Sequence, residues 1–165
     1  MTLTLTLLAT QIREVLAQAD TPASRERVAA ILAAALADRE FVAAQFATEV
    51  GARKLLHEDP LGFCIAAHEF PGAKVGPPHD HGPSWAIYGQ AEGETLMRDF
   101  EQVAPGQVRE TRRYLMRQGD VHVYNEGDIH GPSRTAPTRL LRIEGRNLAG
   151  LPRSRFEVAG DSPAV

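Results

Sequence analysis

Cysteine is nearly absent. Cys64 is the single one in 165 residues, so no disulfide can form within the chain and stability must come from packing, as suits a reducing compartment. Inside an apolar run, that thiol reads most simply as a small core residue. Aromatic residues are also few, at 6%, with one tryptophan. Neither sign of charge dominates: 18 basic and 21 acidic residues leave a net charge of −3 with the histidines neutral. The basic residues are scattered rather than run together, which argues against nucleic acid or an anionic membrane surface as a partner. Apolar runs are far too short to cross a bilayer, and the opening residues Thr2-Leu3-Thr4 lack the basic leader of a secretory signal. The expectation is a cytoplasmic protein that meets small molecules.

What remains is ordinary globular material, 43% apolar and 24% charged, of a length suited to one domain with a real core. Its first third differs from the rest. Leu8, Ile12, Val15 and Leu16 recur at helical spacing, as do Val28, Ile31, Leu32, Ala35 and Leu36. Between them Thr21-Pro22 is a helix start, the threonine capping free amides and the proline sitting where its missing donor is harmless. Asp38 is placed to cap a third helix through Phe41, Val42 and Phe46. From Gly51 the signals change to short runs bounded by turn residues. Strands are predicted over 63–70, 85–88, 95–100, 112–116, 121–124 and 139–143. Turns are predicted at Pro71-Gly72, Pro77-Pro78, Pro105-Gly106, Gly119-Asp120 and Pro132-Ser133. The organisation is therefore a helical segment over 1–50 and a barrel over 51–165 within one α+β structural domain. Residues 159–165 read as a frayed end.

The chemistry lies in the histidines. In Gly76-Pro77-Pro78-His79-Asp80-His81-Gly82 two histidines stand two apart, and on an extended strand both imidazoles point to one face. Gly127-Asp128-Ile129-His130-Gly131 offers a third from a distant strand, enough for a facial triad on one ion. A lone His-x-His pair is as easily incidental surface histidine, and it is the second segment that weighs against this. The other three carry blander readings. His57 belongs to a polar connection, His68 to a half-buried strand as a structural residue, and His122 to a strand where a structural role outranks a place behind the ligands.

These segments resemble the cupins, whose barrel carries a glycine, a spacer, His-x-His, usually a glutamate and a glycine, and then a second Pro-x-Gly-x-x-His-x-x-x-Asn motif. Gly76, His79, His81 and Gly93 match the first; Gly127 and His130 match the second. The resemblance implies a cupin double-stranded β-helix barrel, mainly β, behind the helical segment. Ala86 stands where the metal-binding glutamate is expected, and Asn125 and Arg134 replace the second motif's proline and asparagine. The implied ligand set is thus all histidine, with no carboxylate; Glu92 and Glu94 are the nearest acids in sequence.

Within the cupins the similarity is to thiol dioxygenases of the cysteine dioxygenase type, which share the His-Asp-His block and hold iron(II) by three histidines. Their spacing places an arginine for the substrate carboxylate at Arg53, twenty-six residues before His79; a surface cation is the equal alternative. Their Ser-x-His-x-Tyr strand is not reproduced. One register gives Leu140, Arg142 and Glu144, the other Ile143, Gly145 and Asn147, and neither supplies a tyrosine. Strand parity puts Arg142 and Glu144 on one face, where they either point into the cavity to orient substrate and shuttle a proton or form a solvated ion pair. Trp85 and Tyr88 read as barrel packing, with Trp85 also able to wall the cavity.

The expected activity is a dioxygenase dependent on a divalent transition metal, most simply Fe(II), with Ni or Zn as possible occupants on purification. Its partners are a small anionic or thiol substrate and dioxygen. Alternatives on the same fold are an isomerase or carbon–carbon cleaving oxygenase acting on an enolisable molecule, and a non-catalytic metal or small-molecule sensor.

Overall fold

The computed structural model describes residues 2–160, so most of the predicted frayed end, from 161 on, lies outside the described residues. Three helices come first, each opened by a side-chain cap. In α1 (Leu5–Leu16) the Thr4 hydroxyl accepts the Leu7 amide at 3.1 Å. In α2 (Pro22–Ala37) Thr21 accepts Ser24 N–H at 3.2 Å with Pro22 in the first turn. In α3 (Arg39–Gln45) Asp38 accepts Phe41 N–H at 3.0 Å. Such caps are worth about 1 kcal/mol each. None of the helices is long and apolar enough to cross a membrane.

Ten strands follow: β1 (Lys54–Glu58), β2 (Cys64–Phe70), β3 (Lys74–Val75), β4 (Ala86–Glu92), β5 (Thr95–Ala104), β6 (Gln107–Met116), β7 (Val121–Tyr124), β8 (Ile129–Arg134), β9 (Thr138–Glu144) and β10 (Glu157–Val158). They form two five-stranded sheets, ordered β1-β2-β9-β4-β7 and β10-β6-β5-β8-β3. Apart from the hairpins β1–β2 and β5–β6 the chain alternates between the sheets, and except for the parallel β10–β6 contact every pairing is antiparallel. This is a double-stranded β-helix, the fold that the sequence resemblance implies.

Period two assigns each strand residue its side. On the first sheet Ile65, Ala67, Ile87, Leu141 and Ile143 point outward and join Leu8, Ile12, Val28, Leu32 and Leu36 in one buried cluster, so helices and barrel share a core. Each fully buried Leu or Ile there contributes roughly 1.5–3 kcal/mol. The opposite parity, with Cys64, Ala66, His68, Tyr88, Arg142 and Glu144, faces the space between the sheets. Cys64 is buried, and desolvation with the neighbouring Glu144 carboxylate pushes its thiol up to about 12, which leaves it inert.

Two sequence expectations change. Pro132-Ser133 lies inside β8 rather than in a turn. The Pro132 carbonyl accepts Gly76 N–H at 2.7 Å, so its missing donor faces the two-residue edge strand β3, where only one ladder bond is forgone. Trp85 does not wall the cavity. Its indole belongs to the helix-side cluster, donates to Asp20 Oδ2 at 3.0 Å and lies under the Arg25 guanidinium.

Candidate metal centre

His79 and His130 meet as a reciprocal pair between neighbouring strand segments. His79 N–H donates to the His130 carbonyl at 2.9 Å, and His130 N–H returns a bond to the His79 carbonyl at 3.0 Å. That pairing sets both rings on the same face, with centroids 4.6 Å apart. Gly76 permits it, because a Cβ there would lie 2.9 Å from the Pro132 ring. His81, two residues on, keeps the parity, and its ring sits 4.9 Å from that of His130. The chain then turns sharply: Asp80 accepts Gly82 N–H at 3.0 Å, and Gly82 adopts φ +61°, open to glycine at little strain.

Second partners fix the tautomers of His79 and His130. His79 Nδ1 lies 2.9 Å from the Pro77 carbonyl and His130 Nδ1 lies 3.2 Å from the Asp128 carbonyl. A carbonyl can only accept, so each Nδ1 carries the proton and each Nε2 presents a bare lone pair inward. His79 Nε2 is buried with no hydrogen-bond partner, as expected of an atom that awaits an ion. Burial also keeps the rings neutral. It brings His79 down to about 4 and His81 to about 2, and holds His130 well below the ordinary range, with the Arg142 charge adding to the effect on each. No proton competes for these nitrogens near neutrality.

The donor set fits a transition metal. One ligand atom from each histidine lies within 4.8 Å of the others, and His81 Nε2 is 3.2 Å from His130 Nε2. Two nitrogens each about 2.1 Å from one ion and at right angles to it stand roughly 3.0 Å apart, so that edge is already near its bonded length. Only histidines form this group among the described residues. Glu92 is exposed and pairs with Arg139 at 3.2 Å, and Glu94 lies 3.8 Å from Arg117.

The tyrosine that sequence reasoning could not find comes from the strand after the first ligands. The Tyr88 hydroxyl is 3.0 Å from His81 Nε2 and 3.3 Å from His130 Nε2, closing a nearly equilateral triangle with them. Tyr88 packs in the barrel as expected, beside Ala86, Met97, Met116 and Tyr124, and its hydroxyl reaches the imidazoles in addition. Parity was the available signal, since Tyr88 lies opposite to Ile87. Complete burial raises its pKa, with Arg142 opposing, so the phenol stays protonated. Tyr124 backs the site, its ring stacked on His130 at 3.9 Å and its hydroxyl 2.6 Å from that of Tyr114.

A cavity of about 650 Å³ opens beside His79. Its lining includes Arg53, Lys74, Arg134, Arg142, Arg153 and Arg155, and no carboxylate. Arg142, paired across the sheet with Tyr88, sets its guanidinium 4.0 Å from the centre of that ring. Glu144 faces the same interior but bonds to Arg53, with Nη2 to Oε2 at 2.8 Å, rather than to Arg142. Arg53 also donates to Asn147 Oδ1 at 2.9 Å. The pair Arg142/Glu144 is thus neither a solvated ion pair nor a couple.

The remaining histidines separate. His57 bonds to Asp59 at 3.1 Å, and His122 lies between Tyr114 and Tyr124 beside Arg112. His68 is buried rather than half-buried. Its Nδ1 is 2.8 Å from the Ala52 carbonyl, which leaves Nε2 bare and unpartnered.

No protein-family model matches the sequence, and no curated protein matches it. Solved structures of similar shape include KdgF from Halomonas sp., at 19% identity over 56% of this chain and 74% of that one, with a TM-score of 0.46. A cupin superfamily protein from Desulfitobacterium hafniense is 14% identical over 55% of this chain and 72% of its own, at 0.44. DMSP lyase DddQ from Ruegeria pomeroyi is 18% identical over 62% of this chain, which spans about half of that protein (49%), at 0.46.

Proposed function

We propose that the chain is a metal-dependent cupin enzyme of the cytoplasm, a non-haem iron(II) dioxygenase related to the thiol dioxygenases, acting on a small anionic or thiol molecule. The observation that carries this reading is the convergence of one nitrogen from each of three neutral histidines beside a cavity walled by cations. A divalent transition metal held by His79, His81 and His130 supplies Lewis acidity and open coordination positions at that point.

The chain's own residues do the rest. Three uncharged ligands leave the positive charge of the site uncompensated, which favours a negatively charged substrate atom there. The Tyr88 hydroxyl, protonated because it is buried, donates a hydrogen bond to an atom arriving beside His81 and His130. It stands in for the hydroxyl that thiol dioxygenases present from a later strand. Arg142, held against the Tyr88 ring, draws the substrate's charge inward, and Arg53 guards the mouth in a position fixed by Glu144. Leu148, Leu151 and Pro152 supply the apolar part of the cavity lining.

Anaerobic purification with metal analysis, followed by an oxygen-uptake screen over small thiols and diketones, tests the reading. About one iron per chain and substrate-dependent oxygen consumption are expected. Iron-loaded protein that binds such molecules and consumes no oxygen would overturn it in favour of an isomerase or a sensor.

A further inference from the structure

Arg134 and Arg142 differ from the other cations of the cavity. Arg53 is matched by Glu144, while Lys74, Arg153 and Arg155 are exposed and exchange freely with solvent ions. Arg134 and Arg142 are 3% and 6% exposed, and neither forms an ion pair with a described carboxylate. Nε and Nη2 of Arg134 and Nε of Arg142 are buried without any hydrogen-bond acceptor. Guanidinium groups do not deprotonate in proteins, so two full charges sit desolvated and unpaired. They also repel: burial first, and then the charge of Arg142, bring Arg134 down to about 10.

Aromatic faces orient the two without neutralising them. Arg134 lies 4.0 Å from the Phe70 ring centre and Arg142 4.0 Å from that of Tyr88. The attraction of a ring face is small against the desolvation of an ion. Strand parity puts Arg134 on the same side of β8 as His130 and Pro132, so the pair and the imidazoles open into one space. Arg134 also occupies the position at which the resembling motif carries an asparagine.

We infer that Arg134 and Arg142 form one binding site for a doubly anionic group, either a phosphate or a pair of carboxylates, on a small ligand whose other end lies at the three histidines. The two guanidiniums supply forked donors that match such oxygens, and two negative charges cancel two positive ones. Placing the far end at the histidines rests on the metal reading above; the anion site itself does not. A ligand of this kind fits within 650 Å³.

The test is calorimetric titration of metal-stripped protein with inorganic phosphate, succinate and acetate, which separates the two dianion sources from a single charge. Phosphate or succinate is expected to bind at least about ten-fold tighter than acetate, since one charge-assisted fork is worth about that factor. Arg134→Met and Arg142→Met should each lose that preference, with Arg134→Lys restoring part of it. Ligand-free Arg134→Met or Arg142→Met should melt higher than the parent, because an unpaired buried charge is gone; a merely structural arginine would give the reverse. Equal affinity for acetate and both dianions, unaltered affinity in the methionine variants, or lower melting in both overturns the inference. Dianion selectivity in stripped protein that fails to load metal would sink the metal reading alone, and metal loading without selectivity would sink this one alone.

Discussion

Asp59 is the clearest place to test how the helices are fastened to the barrel. Its carboxylate is fully shielded and receives Arg13 Nη2 at 2.6 Å, Arg13 Nε at 3.0 Å, the Leu61 amide at 3.0 Å and His57 Nε2 at 3.1 Å. Burial alone would raise its pKa. Hydrogen bonds from Arg13, Leu61 and His57 outweigh that and hold it at about 2, against an ordinary 3.8. At roughly 1.4 kcal/mol per pH unit this stabilises the native state by about 2.5 kcal/mol, or about 2 once solvent screening at the half-exposed Arg13 is allowed for. The sign follows from a depressed folded pKa: the stability is fully present above about pH 4 and is lost as pH falls through 2. Asp59→Asn keeps the shape and loses the charge. Urea unfolding should therefore place the variant about 2 kcal/mol below the parent at pH 7, with the gap closing between about pH 4 and pH 2. A gap that stays constant over that range, or is absent at pH 7, refutes the argument.

Three further outcomes follow from the site. His130→Ala should abolish stoichiometric iron in anaerobic metal analysis, since two imidazoles cannot make a facial triad; retained loading would show that the ligands lie elsewhere. Tyr88→Phe should leave metal content unchanged while lowering turnover at least about ten-fold, as expected for loss of a positioned hydroxyl, and oxygen-uptake rates decide it. Arg53→Ala leaves the Glu144 carboxylate buried and unpaired, so chemical denaturation should show a loss of about 3 kcal/mol that Arg53→Ala/Glu144→Gln largely recovers. No recovery in the double variant would mean that the pair is not coupled.

The grouping of His79, His81 and His130 was legible because the glycines around them mark the turns that deliver them, although His79 and His81 lie between strands. Parity told Arg142 and Glu144 from Leu141 and Ile143. What the sequence hid was partnership across distance. Nothing near Arg53 announces Glu144, ninety-one residues away; they meet because Arg53 leads into β1, which pairs with β2, and β2 pairs with β9. Tyr88 sits among apolar residues and so reads as packing, though its parity with Ala86 and against Ile87 was available. Residues 107–111 are too polar to read as a strand, yet pairing with β5 makes them the first half of β6. Gly131-Pro132-Ser133 looks like a turn because turn composition and an edge-facing strand proline share the same letters.

The strands that build the cavity also build the core on their reverse side, and this limits how such a sequence can change. In β9, Leu140, Arg142 and Glu144 face the space between the sheets while Leu141 and Ile143 join the core shared with the helices; in β4, Tyr88 has Ile87 behind it. Inserting or deleting one residue in either strand would carry an arginine into the helix layer and a leucine to the imidazoles. Preference for a new ligand must then arise there by replacement at fixed length. The segment from Leu148 to Arg153, which lines the cavity and contains no strand, is under no such rule. Gains and losses of residues among related chains should gather in that segment, and should spare β4 and β9.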